Sequence, residues 1–322
     1  MIRSRVATLA LVSIFCMAPA HAQKAPYPSG PVHFIVVAPP GGPVDVVARL
    51  ISGKLPSVLG QPGVVENRPG ASGIVATRFV AAAEPDGLTI LTASNSTLAT
   101  QKANANSGYD VERDLIPVLD AGWMPNIIVA SPELPATTLQ EVIELSRKRD
   151  MNYGTIGVGT TTHLMAEYLF KKVANTKIQH VVYPGSTAAL TAVMSNQIEL
   201  ASVAMVAAIP LVKAKRLKAI AVTSGRRVAS LPDVPTLAEA GFPGNDHVTW
   251  VGLYMPARTP AAIADSFTVA ALKVIAMPDV SDRLAASGFE RETHSGTELR
   301  RQISDELKHW GKVVEAIDLK LQ

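Results

Sequence analysis

Residues 32–55 leave the backbone little choice. Val32-His33-Phe34-Ile35-Val36-Val37 is a short β-branched and aromatic run that reads as a buried strand. Ala38-Pro39-Pro40-Gly41-Gly42 interrupts it, and Val44, Val47, Ala48, Ile51 and Leu55 then recur at helical spacing. The segment is therefore strand, Pro/Gly loop, helix. Pro43 suits the first helical position, where its fixed φ fits and its missing N–H would have been an orphan. Gly41 and Gly42 put no Cβ between a ligand and the unpaired amides of the helix start. Those amides carry the positive end of the helix dipole, so the corner favours an anion such as a carboxylate. The spacing predicts half of a clamp for a small carboxylate. Asp45 stands four residues before Arg49; it either pairs with it along the helix or faces the cleft to touch a ligand hydroxyl or amine.

The same device repeats. Gly63-Val64-Val65-Glu66-Asn67 reads as a second strand, and Arg68-Pro69-Gly70-Ala71-Ser72-Gly73 as a loop into a helix over 74–83. Pro85-Asp86-Gly87 is a turn, and 88–92 a third strand leading into Ala93-Ser94-Asn95-Ser96. Alternating strands and helices predict parallel pairing with right-handed crossovers. The rhythm shifts at 118–130, where two strands flank Gly122-Trp123-Met124-Pro125, so a domain crossing is placed near 120–126. A second βα series runs from Asn152 to about Phe242, and 248–254 is a strand leading back. The expected division is 23–123 plus 250–322 as one domain and 124–249 as the other.

The N-terminus reads as a secretory signal. Arg3 and Arg5 precede an apolar run from Val6 to Met17, and Ala20-His21-Ala22 closes it, so cleavage is expected after Ala22 and residence in the periplasm. Cys16 follows the bulky Ile14-Phe15, which argues against a lipoprotein signal. The mature chain then has no cysteine, which excludes thiolate chemistry and makes its stability depend on a large apolar core. Losing Arg3 and Arg5 from 30 basic residues leaves 28 against 27 acidic ones. That balance, with no basic cluster and 5% aromatics, argues against nucleic-acid or anionic-membrane partners.

Gly157-Val158-Gly159-Thr160-Thr161-Thr162-His163 again joins a strand to a helix. The third glycine of a dinucleotide fingerprint is replaced by Thr162 and no acid lies near 180. The better reading is an anion cup in which hydroxyls of Thr160, Thr161 and Thr162 supplement backbone donors, the alternative being threonines that only cap the helix. His163 falls in the first turn, where the dipole disfavours imidazolium, so a neutral structural or hydrogen-bond-donating role is expected rather than catalysis. Tyr183-Pro184-Gly185-Ser186 is a third such corner, with Ser186 as its N-cap. Histidine spacing supports no metal site. Walker A spacing fails, no G-x-S-x-G is present, and nothing requires a cofactor or catalytic residue. A Ser/His/Asp set assembled across the fold stays open at this stage.

These motifs, in this order, resemble the extracytoplasmic solute receptors of tripartite tricarboxylate transporters, also called the Bordetella uptake gene family. The resemblance rests on Pro40-Gly41-Gly42-x-x-Asp45-x-x-Ala48-Arg49, Val65-Glu66-Asn67-Arg68-Pro69-Gly70-Ala71-x-Gly73, Pro85-Asp86-Gly87, Gly157-x-Gly159-Thr160 with His163-Leu164, Tyr183 with Gly185-Ser186, and Leu231-Pro232-Asp233-Val234-Pro235-Thr236. It implies an α/β, two-domain periplasmic-binding-protein-like fold of type II, each domain a mainly parallel sheet flanked by helices, with the ligand between. Carried over, Pro40, Gly41, Gly42, Asp45, Ser94 and Asn95 line one wall, and Gly159, Thr160, Thr161, His163, Tyr183 and Ser186 the other. It further implies a monomeric receptor that hands a small mono- or dicarboxylate to membrane permease subunits, the alternatives being a feeder of a two-component sensor kinase or a periplasmic hydrolase or isomerase. Val37 and Ala38, Val182 and Pro184, and Val203 depart from the family pattern and disfavour an amino-acid ligand.

Overall fold

The structure is a computed structural model and describes residues 27–290 and 292–319; the signal segment and its cleavage site lie outside the described residues. In the first wing β1 (Val32–Val36) lies between β2 (Gly63–Asn67) and β3 (Thr89–Ser94), all parallel. The crossovers are α1 (Pro43–Leu59) and α2 (Ile74–Ala81), followed after β3 by α3 (Ser96–Ala103) and the single turn α4 (Val111–Asp114). Gly60 ends α1 in the left-handed conformation, its N–H donating to the Pro56 carbonyl. Period-2 alternation sends Val32, Phe34 and Val36 to one core and Ile35 to another.

The two strands expected around Gly122 are one strand, β4 (Leu115–Ala130), which passes through a bulge there. The turn signals at Gly122 and Pro125 are absorbed because Gly122, at φ 102°, steps the register between Asp120 and Trp123 without breaking it. The second wing holds α5 (Leu139–Ser146), β5 (Asn152–Thr155), α6 (Thr161–Glu167), β6 (Gln179–Val182), α7 (Ser186–Met194), β7 (Leu200–Ala204), α8 (Met205–Lys213) and β8 (Lys218–Val222). There β5 pairs in parallel with β6 and β7. Helix α6 continues as a π-helical stretch over Tyr168–Val173. The chain returns through β9 (Val248–Pro256) and ends in α9 (Ala261–Ile275), α10 (Pro278–Ala286) and α11 (Gly296–Ala316).

One curled, mixed sheet results, in the order β2-β1-β3-β9-β4-β7-β5-β6, with β8 also on β4. The first part of β4, to Pro125, pairs antiparallel with β9; from Asn126 its partners are β7 and β8. These two crossing strands are the joint between the wings. One core spans the joint: Leu91, Trp250, Tyr254, Leu307 and Trp310 belong to the same buried cluster as Tyr153, Phe170 and Leu200. In both wings the carboxyl ends of the parallel strands turn into loops and helix starts, the place where open α/β sheets bind ligands.

Candidate functional site

The first corner is built as the sequence requires. Gly42 is the extended N-cap of α1, Pro43 is its first residue, and no side chain caps the helix start. Gly41 sits at φ 87°, which only glycine adopts without cost, and the space a Cβ would occupy there is open. Asp45 does not face a cleft. Its side chain is buried and its carboxylate accepts from the Gly41 N–H (2.9 Å), Arg49 Nε (2.8 Å) and Asn67 Nδ2 (2.9 Å). Asn67 also donates to the Ala38 carbonyl, so the acid staples the loop to the end of β2. Burial pushes its carboxyl up, but donors from Arg49, Gly41 and Asn67 outweigh that and hold it below the usual range. Three donors spent inside the corner leave Asp45 to shape the loop. The amides of Val44 and of Asp45 itself, without intrahelical carbonyls, remain to meet an anion.

In the opposite wing Gly159, Thr160, Thr161 and His163 are all buried. Thr160 is the N-cap of α6, but its hydroxyl donates to the Gly157 carbonyl (2.7 Å) rather than capping the helix, and it pairs with Thr162 Oγ1 at 3.1 Å. His163 Nδ1 accepts the Gly159 N–H at 3.1 Å, so the ring proton sits on Nε2. Its ring lies 4.0 Å from that of His180, whose Nε2 is 2.6 Å from Thr155 Oγ1. Burial pushes His163 down to about 3 and His180 to about 4. Burial favours the neutral imidazole, as expected, but in place of the expected donor the ring is an acceptor inside the loop, because Nδ1 faces the Gly159 N–H. Tyr183 is half-buried, with its ring against Gly154. Ser186 is not an N-cap: Gly185 takes that position and Ser186 opens α7, with no side-chain cap bond.

The two wings meet at residues the sequence reading did not place in the site. Ser72 Oγ donates to the Val158 carbonyl at 2.9 Å. Ser96, at the start of α3, pairs with Thr161 Oγ1 at 2.9 Å and accepts the Thr161 N–H at 3.3 Å. Thr100 Oγ1 reaches the carbonyls of Ser72 (3.4 Å) and Gly159 (3.5 Å). Ser94 is half-buried at the end of β3. Asn95 is buried, and its amide nitrogen donates to the Val248 carbonyl and to Glu306 Oε2 (both 3.0 Å), away from the corners. A one-dimensional reading misses these pairs because their partners lie 28 to 211 residues away.

A sequence model of the tripartite tricarboxylate transporter family receptor matches residues 32–319. The chain belongs to that family. The receptor is 31% identical to Protein BugT of Bordetella pertussis over 300 residues, 92% of each chain. It superposes on R. palustris Rpa4515 with adipate at a TM-score of 0.85, with 30% identity over 91% of this chain and 99% of that one. On MatC (Rpa3494) of Rhodopseudomonas palustris with bound malate the TM-score is 0.81, with 29% identity over 89% and 100%. Type II periplasmic solute-binding proteins are thus the fold neighbours of this receptor. The corners at 41–42, 72–73 and 159–162 carry glycine, threonine and serine; Arg49 and Arg68 beside the first two are engaged with Asp45 and Glu66. Negative charge brought here would meet amides, hydroxyls and helix dipoles.

Proposed function

We propose that this receptor binds a small mono- or dicarboxylate between two lobes, residues 23–123 with 250–322 and residues 124–249, and delivers it from the periplasm to the permease subunits of a tripartite tricarboxylate transporter. The observation that supports the reading is the meeting of the α3 and α6 helix starts, one from each wing, with direct bonds at 72–158 and 96–161, while α1 starts from the carboxyl end of the neighbouring strand β1. Relatives of the same fold hold adipate and malate, which fits a carboxylate. Pro40, Gly41 and Gly42 would form one wall with Ser94, and Thr160, Thr161 and Tyr183 the other. Asp45, Asn95 and His163 would act from behind by shaping the loops, and Ser186 by opening α7.

Hydrogen bonds to a charged group contribute a net ~1.5–3 kcal/mol each, and four of them reach the roughly 8 kcal/mol of a micromolar complex. Closure would be a population shift, since only the closed form lets one ligand touch both walls. The function is binding without turnover. Isothermal titration against a panel of short mono- and dicarboxylates that includes adipate and malate should find a saturable ligand, recovered unchanged by NMR. Flat titrations across the panel, or a chemically altered ligand, would sink the reading.

A further inference from the structure

The most strained backbone among the described residues is the corner between β2 and α2. Gly70, Ala71, Ser72 and Gly73 follow one another at φ 146°, 45°, 54° and 94°. Two consecutive non-glycine residues in the left-handed region are unfavourable and persist only where the surroundings fix them, which is commonly at a functional site. Here the Gly73 N–H donates to the Gly70 carbonyl, and Thr77 Oγ1 holds the Gly73 carbonyl, both at 2.9 Å. The conformation carries the Ser72 hydroxyl across to the other wing.

We propose that Ser72 is a positioning residue of the ligand cleft, a latch that holds the Val158–Gly159 peptide from the opposite wing. That single peptide is pinned at both ends: its carbonyl accepts from Ser72 Oγ, and its N–H donates to His163 Nδ1. Gly157 makes room for the latch, because a Cβ there would lie 2.7 Å from Ser72 Oγ. The Ser96–Thr161 pair gives the same interface a second point of attachment. The proposal deepens the functional reading above and rests on it for the ligand, but the latch itself is testable on the protein alone.

Ser72→Ala keeps the Cβ and the backbone conformation and removes only the hydroxyl. Losing one such bond lowers the ratio of latched to unlatched forms about 3- to 10-fold. Hydrogen exchange at residues 157–161 should rise by that factor while the core strands β1 and β7 stay unchanged. Small-angle scattering should show a larger radius of gyration for the variant, and larger still for Ser72→Ala with Ser96→Ala. Gly157→Ala should act in the same direction by pushing Ser72 away. Affinity for whichever of adipate or malate binds should fall, by up to about 3- to 10-fold, because binding draws on the latched form. Unchanged exchange at 157–161 with an unchanged radius would overturn the latch, as would exchange that rises equally throughout the fold. If neither acid binds the unmodified protein, the functional reading fails while exchange and scattering still decide the latch.

Discussion

Asp45 shows how a residue in a ligand motif can serve the motif rather than the ligand. Its carboxylate is only 2% exposed and takes donors from three directions, so Asp45→Asn would set an amide against donors it cannot accept. We expect a loss of about 2 kcal/mol in urea titrations at pH 7. Its folded pKa is lowered, so the stabilisation is present above the ordinary carboxylate value of about 4 and fades as pH falls below it, where the variant should converge on the parent. Three histidines set a second limit. Burial holds His163 and His247 at about 3 and His180 at about 4. The unfolded chain takes up protons below about pH 6.5 that these rings refuse. Stability should therefore drop by about 1.4 kcal/mol per pH unit for each ring between about pH 6.5 and 4. At His294 burial works to lower the pKa, but the Asp120 carboxylate outweighs it and raises it; its stabilisation is complete below about 6.5 and is lost as pH climbs above that, so it leaves the drop between about 6.5 and 4 unchanged. Ring-proton NMR should show His163, His180 and His247 flat down to pH 5. A midpoint near 6.5 for any of them would contradict its placement.

Among the elements, α11 is tied to the joint at its middle. Glu306 is buried and accepts from Trp250 Nε1, Asn95 Nδ2 (3.0 Å) and Trp310 Nε1 (3.4 Å). Burial raises its carboxyl, with those donors opposing. Glu306→Ala would orphan all three and should cost at least about 3 kcal/mol by urea unfolding, whereas Glu306→Gln, which keeps one carbonyl, should cost less. Equal losses would mean that packing, not the hydrogen bonds, holds the helix. The apolar stripe of this helix, including Ile303, Leu307 and Trp310, follows a 3.6-residue period in the sequence; Glu306 cannot be read that way, because a polar residue at a buried position is defined by partners 56 and 211 residues away. The strand–loop–helix corners were likewise legible, since Pro and Gly punctuate them locally. The N-cap expected at Ser186 moved to Gly185 because glycine, at φ 157°, reaches a conformation that serine avoids. The Ser72 contact was hidden in a serine between glycines, whose meaning lies in the backbone conformation they permit.

At the scale of the whole molecule, two antiparallel strands, β4 and β9, join wings whose ligand corners arise from parallel strands. One buried core is shared across that joint, so the two strands and the packing around them hold the wings together. The family resemblance fixed this architecture in advance; the sequence's local patterns did not, because they carry no record that 115–130 is one strand shared by two wings. Main-chain donors gripping an organic anion is the idea on which the rest depends. Backbone 15N–1H NMR during titration with the best-binding carboxylate tests it most directly. Saturable downfield shifts of the Gly42, Val44, Asp45 and Thr162 amide protons are predicted, from both wings in one transition. Saturable shifts confined to one wing or to surfaces remote from these corners, or no saturable shift with any acid tried, would contradict it.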